Sequence, residues 1–264
     1  MADSLAGVAL GAGSGTRMRP LSIDRPKVLC PVDNVPLIDH AVDRLRTVTD
    51  LVAVNTHATQ DLLHAHLETT HPDVVISVER GARLGTAGAL GALRDWIDGR
   101  ATVVVNGDTW CPGGLDALLE GWDGKSIRIL VAGEGTFGSS APIAGALMPW
   151  SDVATLDATP SGLWEVSWRT ALADGRVDTV AHLGSFVDCA DPADYLRANL
   201  EAAGGSVVGA DAVVEGEIED CVVWDGATVE RGEQLTRAIR TDSGRTVLVR
   251  RGEFRAGALA GGVR

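Results

Sequence analysis

Between residues 6 and 132 the chain repeats one pattern: a short run of aliphatic and β-branched residues, a turn, then a stretch with helical period. Leu37, Ile38, Ala41, Val42, Leu45 and Val48 fall on one helical face, and Leu51 to Asn55 follows as a buried strand. The cycle continues with a helix over Thr59 to Glu68, a strand over Val74 to Val78 and a helix over Ala87 to Ile97. A strand over Thr102 to Val105 and a helix over Leu115 to Trp122 then lead to the strand Ile127 to Ala132. Parallel strands need crossovers of this length, so the alternation predicts an α/β fold, a Rossmann-like, doubly wound, mostly parallel sheet. Ligands of such sheets bind beyond the carboxyl ends of the strands, where the turns after Leu10 and Val105 fall.

Residues 133 to 200 are less regular. They hold a glycine- and serine-rich loop, GEGTFGSS, a strand near Ile143 to Met148 and an amphipathic helix around Asp191 to Ala202. From Gly204 the texture changes: Val208 and Val214 lie six apart and, after a phase shift, so do Val223, Val229 and Leu235. A sixfold aliphatic recurrence predicts a short parallel β-helix of roughly two coils, whose open ends offer an interface to a second copy. The expected domains are therefore 1–203 and 204–264.

Composition narrows the partners. With 45% hydrophobic and 22% charged residues the chain has the makings of a real core, and its net charge of −13 disfavours nucleic acid and anionic membranes. No apolar run approaches the roughly 18 residues of a membrane span. The opening MADSLAGVAL has no basic stretch, and Cys30, Cys111, Cys189 and Cys221 lack metal spacing, so reduced thiols in a cytoplasm are expected. His57, His64, His66, His71 and His182 show no ligand spacing, and Trp110, Trp164 and Trp168 read as packing residues.

The first turn is the densest in chemistry: Leu10, Gly11, Ala12, Gly13, Ser14, Gly15, Thr16 and Arg17, then Arg19, Pro20, Arg25, Pro26 and Lys27. Three glycines in five residues let backbone N–H groups face an anion without Cβ obstruction. The pattern is neither the dinucleotide fingerprint nor a P-loop. Four cations here face a single anion, Asp24, in an otherwise acidic chain whose only lysines are Lys27 and Lys125. Taken singly, Asp108 fits a turn at a strand end and Asp188 a surface carboxylate.

The run LGAGSGTRMRPLSIDRPKVLCPVDNVPLI resembles the signature of the sugar-1-phosphate nucleotidyltransferases. Leu84 to Leu90 (LGTAGAL), Val105-Asn106-Gly107-Asp108, and Phe186-Val187-Asp188 ahead of Asp191-Pro192 and Tyr195 agree in order and spacing. The hexapeptide-like tail is similar too, particularly to the mannose-1-phosphate guanylyltransferases, and implies a left-handed β-helix. The resemblance implies an enzyme joining an NTP and a sugar-1-phosphate into an NDP-sugar and pyrophosphate. It implies nucleotide binding by residues 10 to 17 and by Gly85, Thr86, Ala87 and Gly88, with Glu79 a weaker candidate for the base pocket. Arg17 and Lys27 take catalytic roles on the phosphates, and Asp108 and Asp188 share a Mg²⁺ ion. GTP with mannose-1-phosphate is the expected pair; uridylyl, adenylyl or thymidylyl transfer, or a non-catalytic nucleotide-binding regulatory role, are the alternatives. The chain departs from the family in lacking the Glu-Lys-Pro segment that contacts the sugar phosphate. Arg80, Arg83, Arg128 and Arg169 are the candidate replacements for its lysine.

Overall fold

The computed structural model describes residues 5–133 and 136–250, so two positions of the GEGTFGSS loop and the last part of the expected C-terminal domain lie outside the described residues. Contacts divide the chain into two compact units, each assembled from three stretches. The first takes the chain to Gly13, His40–Gly107 and Cys111–Phe186; the second takes Ser14–Asp39, Asp108–Trp110 and the chain from Val187. This division differs from a cut at 203/204. The segments 14–39 and 187–203 share one apolar core with the C-terminal strands, in which Met18, Leu21, Tyr195 and Leu196 are buried with Val222, Trp224 and Ile239.

The first unit is built on a seven-stranded sheet: β1 (Leu5–Leu10), β2 (Val52–His57), β3 (Val75–Glu79), β4 (Ala101–Asn106), β5 (Ile127–Ala132), β6 (Ile143–Met148) and β7 (Val177–His182). Their spatial order is β7-β5-β6-β4-β1-β2-β3. β1 is parallel to β2 and β4, β2 to β3 and β7 to β5, whereas β6 runs antiparallel to both β4 and β5. β1, β2 and β4 are buried almost throughout because they are covered on both faces. Leaving β1, the chain first builds outward through β2 and β3, then returns to place β4 on its other side. That reversal sets the switch point at the carboxyl ends of β1 and β4.

Some elements differ from the periodicity. The helix expected over Ala87 to Ile97 is two, Gly85–Ala92 and Arg94–Ile97, and that over Leu115 to Trp122 is a single turn, Asp116–Leu119. β7 is not legible in the periodicity: its sequence, VDTVAH, mixes Asp178, Thr179 and His182 with short apolar residues, and as an edge strand it has no fully buried position.

In the second unit the helix Pro192–Ala203 begins at Asp191, whose carboxylate accepts the N–H groups of Ala193 and Asp194, has Pro192 in its first turn and ends at the left-handed Gly204. Three short parallel ladders follow. Val207–Val208 pairs with Val222–Val223, which pairs with Ala238–Arg240; Val213–Val214 pairs with Thr228–Val229; Glu217–Glu219 pairs with Gln234–Thr236. The register sets Val208 against Val223 and Val214 against Val229, so these sixfold positions stack, while Leu235 stands against Ile218, which lies outside the sixfold series. Val223 and Val229 are buried, while Val208 and Val213 on the outermost strands are exposed.

Candidate active site

In the first unit, Leu10 at the end of β1 is level with Asn55 of β2 and with Asn106 of β4. The glycine turn leaves the sheet at that level and is held by side chains from beneath. The Gly11 N–H is shared between the Asn55 backbone carbonyl (3.1 Å) and the Asn55 side-chain oxygen (2.8 Å). A Cβ at Gly11 would lie 2.9 Å from that carbonyl, so this glycine is needed for close approach. Gln60 Nε2 donates to the Gly11 carbonyl (3.1 Å) and Arg83 Nε to the Ala12 carbonyl (2.6 Å). Because Asn55 takes the Gly11 N–H, the free donors start one residue later. Among the described residues the amides of Ala12 and Gly13, which end this unit's part of the turn, make no hydrogen bond, and neither do those of Ser14 and Gly15, which open the second unit.

Glu79 lies beneath this turn, 3% exposed. Its Oε1 accepts from Asn55 Nδ2 (2.7 Å) and its Oε2 from the Leu84 N–H (2.9 Å). Each carboxylate oxygen is thus engaged by the chain itself, which gives Glu79 a bracing position. Asn55 is the partner that sequence reasoning missed; the only signal was a polar residue within the buried strand VAVNTH.

The 84–88 stretch opens the helix Gly85–Ala92, with Gly85 in the left-handed region (φ 71°). Gly85, Gly88 and Gly91 stand three apart and receive the segment 157–161. A Cβ at Gly88 would lie 2.3 Å from the Thr159 carbonyl, and one at Gly91 2.4 Å from the backbone of Asp157. The Ala87 N–H bonds the Ser161 carbonyl, and Thr86 Oγ1 accepts the Leu163 N–H (2.8 Å). Ala87 and Gly88 are therefore buried under chain, and Gly85 is the exposed member of the motif. Beside it a cavity of about 140 Å³ is lined by Leu10, Thr86, Asn106, Gly145, Leu163 and Trp168.

The second unit holds the charged cluster. Thr109–Trp110 pairs antiparallel with Val187–Asp188, Asp188 standing opposite Thr109, and the Cys189 N–H reaches the Asp108 carbonyl. Trp110, Val187 and Cys189 anchor this two-stranded ribbon in the core, which fixes the backbone that carries Asp108 and Asp188. Lys27, only 7% exposed, places Nζ 2.7 Å from Asp108 Oδ2 and 3.6 Å from Asp188 Oδ1. Burial pulls the Lys27 ammonium down, but the field and hydrogen bond of Asp108 together with Asp188 outweigh it, so it titrates above its ordinary value. Asp188 is held above the ordinary carboxylate range, first by partial burial and then by Asp108, against the attraction of Lys27. Gly15, left-handed at φ 61°, would set a Cβ 3.0 Å from that of Lys27, so the glycine makes room for the lysine. Arg17 is exposed and has no hydrogen bond or ion pair among the described residues.

Not every cation of the first turn is available. The Arg25 guanidinium lies over the Trp224 ring (4.1 Å) and pairs with Asp242 (2.9 Å), while Asp24 accepts from Ser243 and faces Arg245. Of the arginines proposed in place of the missing lysine, Arg83 holds the Ala12 carbonyl and Arg128 holds the Glu120 carbonyl and Asp178. Arg80 and Arg169 are exposed and unengaged among the described residues.

Residues 6–136 match the family model described as nucleotidyl transferase. The chain is 31% identical over 233 residues to N-acetylmuramate alpha-1-phosphate uridylyltransferase of Caulobacter vibrioides, covering 74% of this chain and 96% of that protein. It is 33% identical over 119 residues to the human mannose-1-phosphate guanylyltransferase regulatory subunit alpha, covering 42% of this chain and 28% of that one. In fold it is similar to HddC from Yersinia pseudotuberculosis, solved with GMP-PN (TM-score 0.59, 17% identity, 75% and 99% covered). It is also similar to UDP-glucose pyrophosphorylase from Acinetobacter baumanii (TM-score 0.58, 17% identity, 74% and 92% covered). The chain belongs to the sugar-1-phosphate nucleotidyltransferase family.

Proposed function

We propose that the protein joins an NTP to a sugar-1-phosphate, releasing pyrophosphate, with Lys27, Asp108 and Asp188 at the reacting phosphates. The observation that carries this reading is the placement of one buried ammonium against two carboxylates on a rigid ribbon. A regulatory relative has 33% identity over part of the chain, but a purely regulatory copy has no use for such a cluster. Asp108 and Asp188 offer only hard oxygen donors, and the single Lys27 ammonium engages one oxygen of each and balances only one of the two charges, so the donor set fits Mg²⁺. When bound, Mg²⁺ would neutralise phosphate charge and orient the two substrates. Lys27 remains charged through neutral pH and is matched to a phosphate oxygen; Arg17, exposed and felt electrostatically by Asp188, is matched to the triphosphate. The free amides after Gly11 receive phosphate oxygens, and residues 85–88 border the base. The attacking sugar phosphate is already ionised, so no general base is required.

For the donor we favour UTP over the GTP and mannose-1-phosphate pair, because the relative matched over nearly its whole length is a uridylyltransferase, whereas the guanylyltransferase subunit matches over a fraction of its own. The acceptor is then the 1-phosphate of an N-acetylated amino sugar, with Arg80 or Arg169 as its phosphate contact. We read the C-terminal ladders as coils of a left-handed parallel β-helix whose exposed Val208 and Val213 face a second copy, in a cytoplasmic enzyme. Among the described residues no helix is long and apolar enough to cross a membrane, and all four cysteines are free and buried. The test is pyrophosphate release with each NTP, a panel of sugar-1-phosphates and Mg²⁺. Highest turnover with UTP and an N-acetylated amino-sugar phosphate is expected; turnover with GTP alone would restore the guanylyl assignment, and silence across the panel would remove catalysis.

A further inference from the structure

We infer that Asn55 and Glu79 form a positioning relay that sets the glycine turn and the 84–88 turn by a single chain of hydrogen bonds. The links run from the Gly11 N–H to Asn55 Oδ1 (2.8 Å), from Asn55 Nδ2 to Glu79 Oε1 (2.7 Å), and from the Leu84 N–H to Glu79 Oε2 (2.9 Å). Both side chains are 3% exposed, so neither relay member competes with water or is open to ligand. The relay has a direction. Asn55 accepts at one end and donates at the other, and Glu79 accepts twice, so every donor meets an acceptor only in this arrangement. Arg83 Nε on the Ala12 carbonyl adds a second tie between the same two turns. Leu84 precedes the left-handed Gly85, and Gly11 precedes the free amides, so a displacement at either end is passed to the other. The inference rests on the nucleotide reading above, in which both turns contact one NTP, and makes Asn55 and Glu79 positioning residues for it.

The direction supplies the test. Glu79→Gln puts an amide against either Asn55 Nδ2 or the Leu84 N–H, a donor facing a donor. Asn55→Asp puts a carboxylate against Glu79. The double variant restores every link with the polarity of the central one reversed. The carboxylate introduced at position 55 accepts from Gly11 and from the amide introduced at position 79, whose oxygen in turn accepts from Leu84. Each single variant should raise the nucleotide KM by about tenfold or more, with kcat less affected, and the double variant should return within about threefold of the parent. Amide hydrogen exchange without nucleotide should quicken at 9–14 in Glu79→Gln and at 82–88 in Asn55→Asp, the remote turn in each case, and slow again in the double variant. Unchanged KM in the single variants, exchange confined to the nearer turn, or a double variant that regains melting temperature but not nucleotide KM would each overturn the relay. A parent that takes no nucleotide would defeat the functional reading instead, and the exchange result would still judge the relay.

Discussion

Carboxylates do opposite work in the two units. Glu79 in the first is buried and met by neutral donors, one on each oxygen. Asp108 and Asp188 in the second meet an ammonium and keep solvent-facing surface, with Asp188 half exposed. A saturated carboxylate braces backbone, whereas a pair sharing one cation with oxygens to spare can bind another. Residue type alone does not separate these roles; the partners do.

The strongest way to break the contrast is Asp108→Asn. We expect Mg²⁺-dependent turnover to fall by at least about a hundredfold in a variant that still folds but melts below the parent, because the buried Lys27 ammonium keeps only Asp188; near-normal turnover would take Asp108 out of the site. Lys27→Met should lose turnover on a similar scale and about 1–2 kcal/mol of stability in denaturant unfolding. The sign follows from the raised Lys27 value: the stabilisation is complete below 10.5 and disappears as pH rises through the higher folded-state value. The stability gap between parent and variant should therefore be flat from neutral to mildly alkaline pH and close only in strong alkali.

Asp188→Asn should separate stability from function. Its carboxylate is raised in the folded state, so the charged form is the one folding disfavours; any penalty exists above that value and vanishes well below the ordinary 3.8. At neutral pH the variant should melt at the parent's temperature or slightly higher while losing metal-dependent turnover, and in acid the two should coincide. Melting scans across pH beside the assay would check this. The smallest effect is expected at the arginines. Arg80→Ala or Arg169→Ala should raise the sugar-phosphate KM about tenfold, the low end of the about 1.5–3 kcal/mol of a charge-assisted hydrogen bond, because both guanidinium groups are exposed. An unmoved KM in both would send the search for the phosphate contact elsewhere.

Much of the sheet can be read from the chain, since β1, β5 and β6 are apolar runs bounded by turns. β7 cannot, because Asp178, Thr179 and His182 interrupt its apolar residues, whereas the other edge strand, β3, keeps three aliphatic residues in five and is legible. Lys27, Asp108 and Asp188 stand out through a resemblance to family motifs, and their convergence depends on a ribbon pairing residues about 80 apart in sequence. Glu79 reads as a base-pocket residue, but its partners Asn55 and Leu84 decide its role, and a lone strand asparagine gives no hint of that. The glycines of the 84–88 stretch read as room for a ligand; in the fold Gly88 and Gly91 make room for residues 157–161, which no local pattern announces. Arg25 counts in the sequence among four cations facing an anion, yet Trp224 and Asp242, some 200 residues later, close over it.

That last contact bears on how the protein can be cut. Arg25 lies two residues before Lys27 and is clamped by an indole and a carboxylate from the C-terminal ladders, while Asp24 is tied to Ser243 and Arg245. A chain shortened at residue 203 would strip the floor from beneath the Pro26-Lys27 turn. The tail is therefore no detachable accessory: a search for a minimal enzyme would have to keep the chain at least through Arg245.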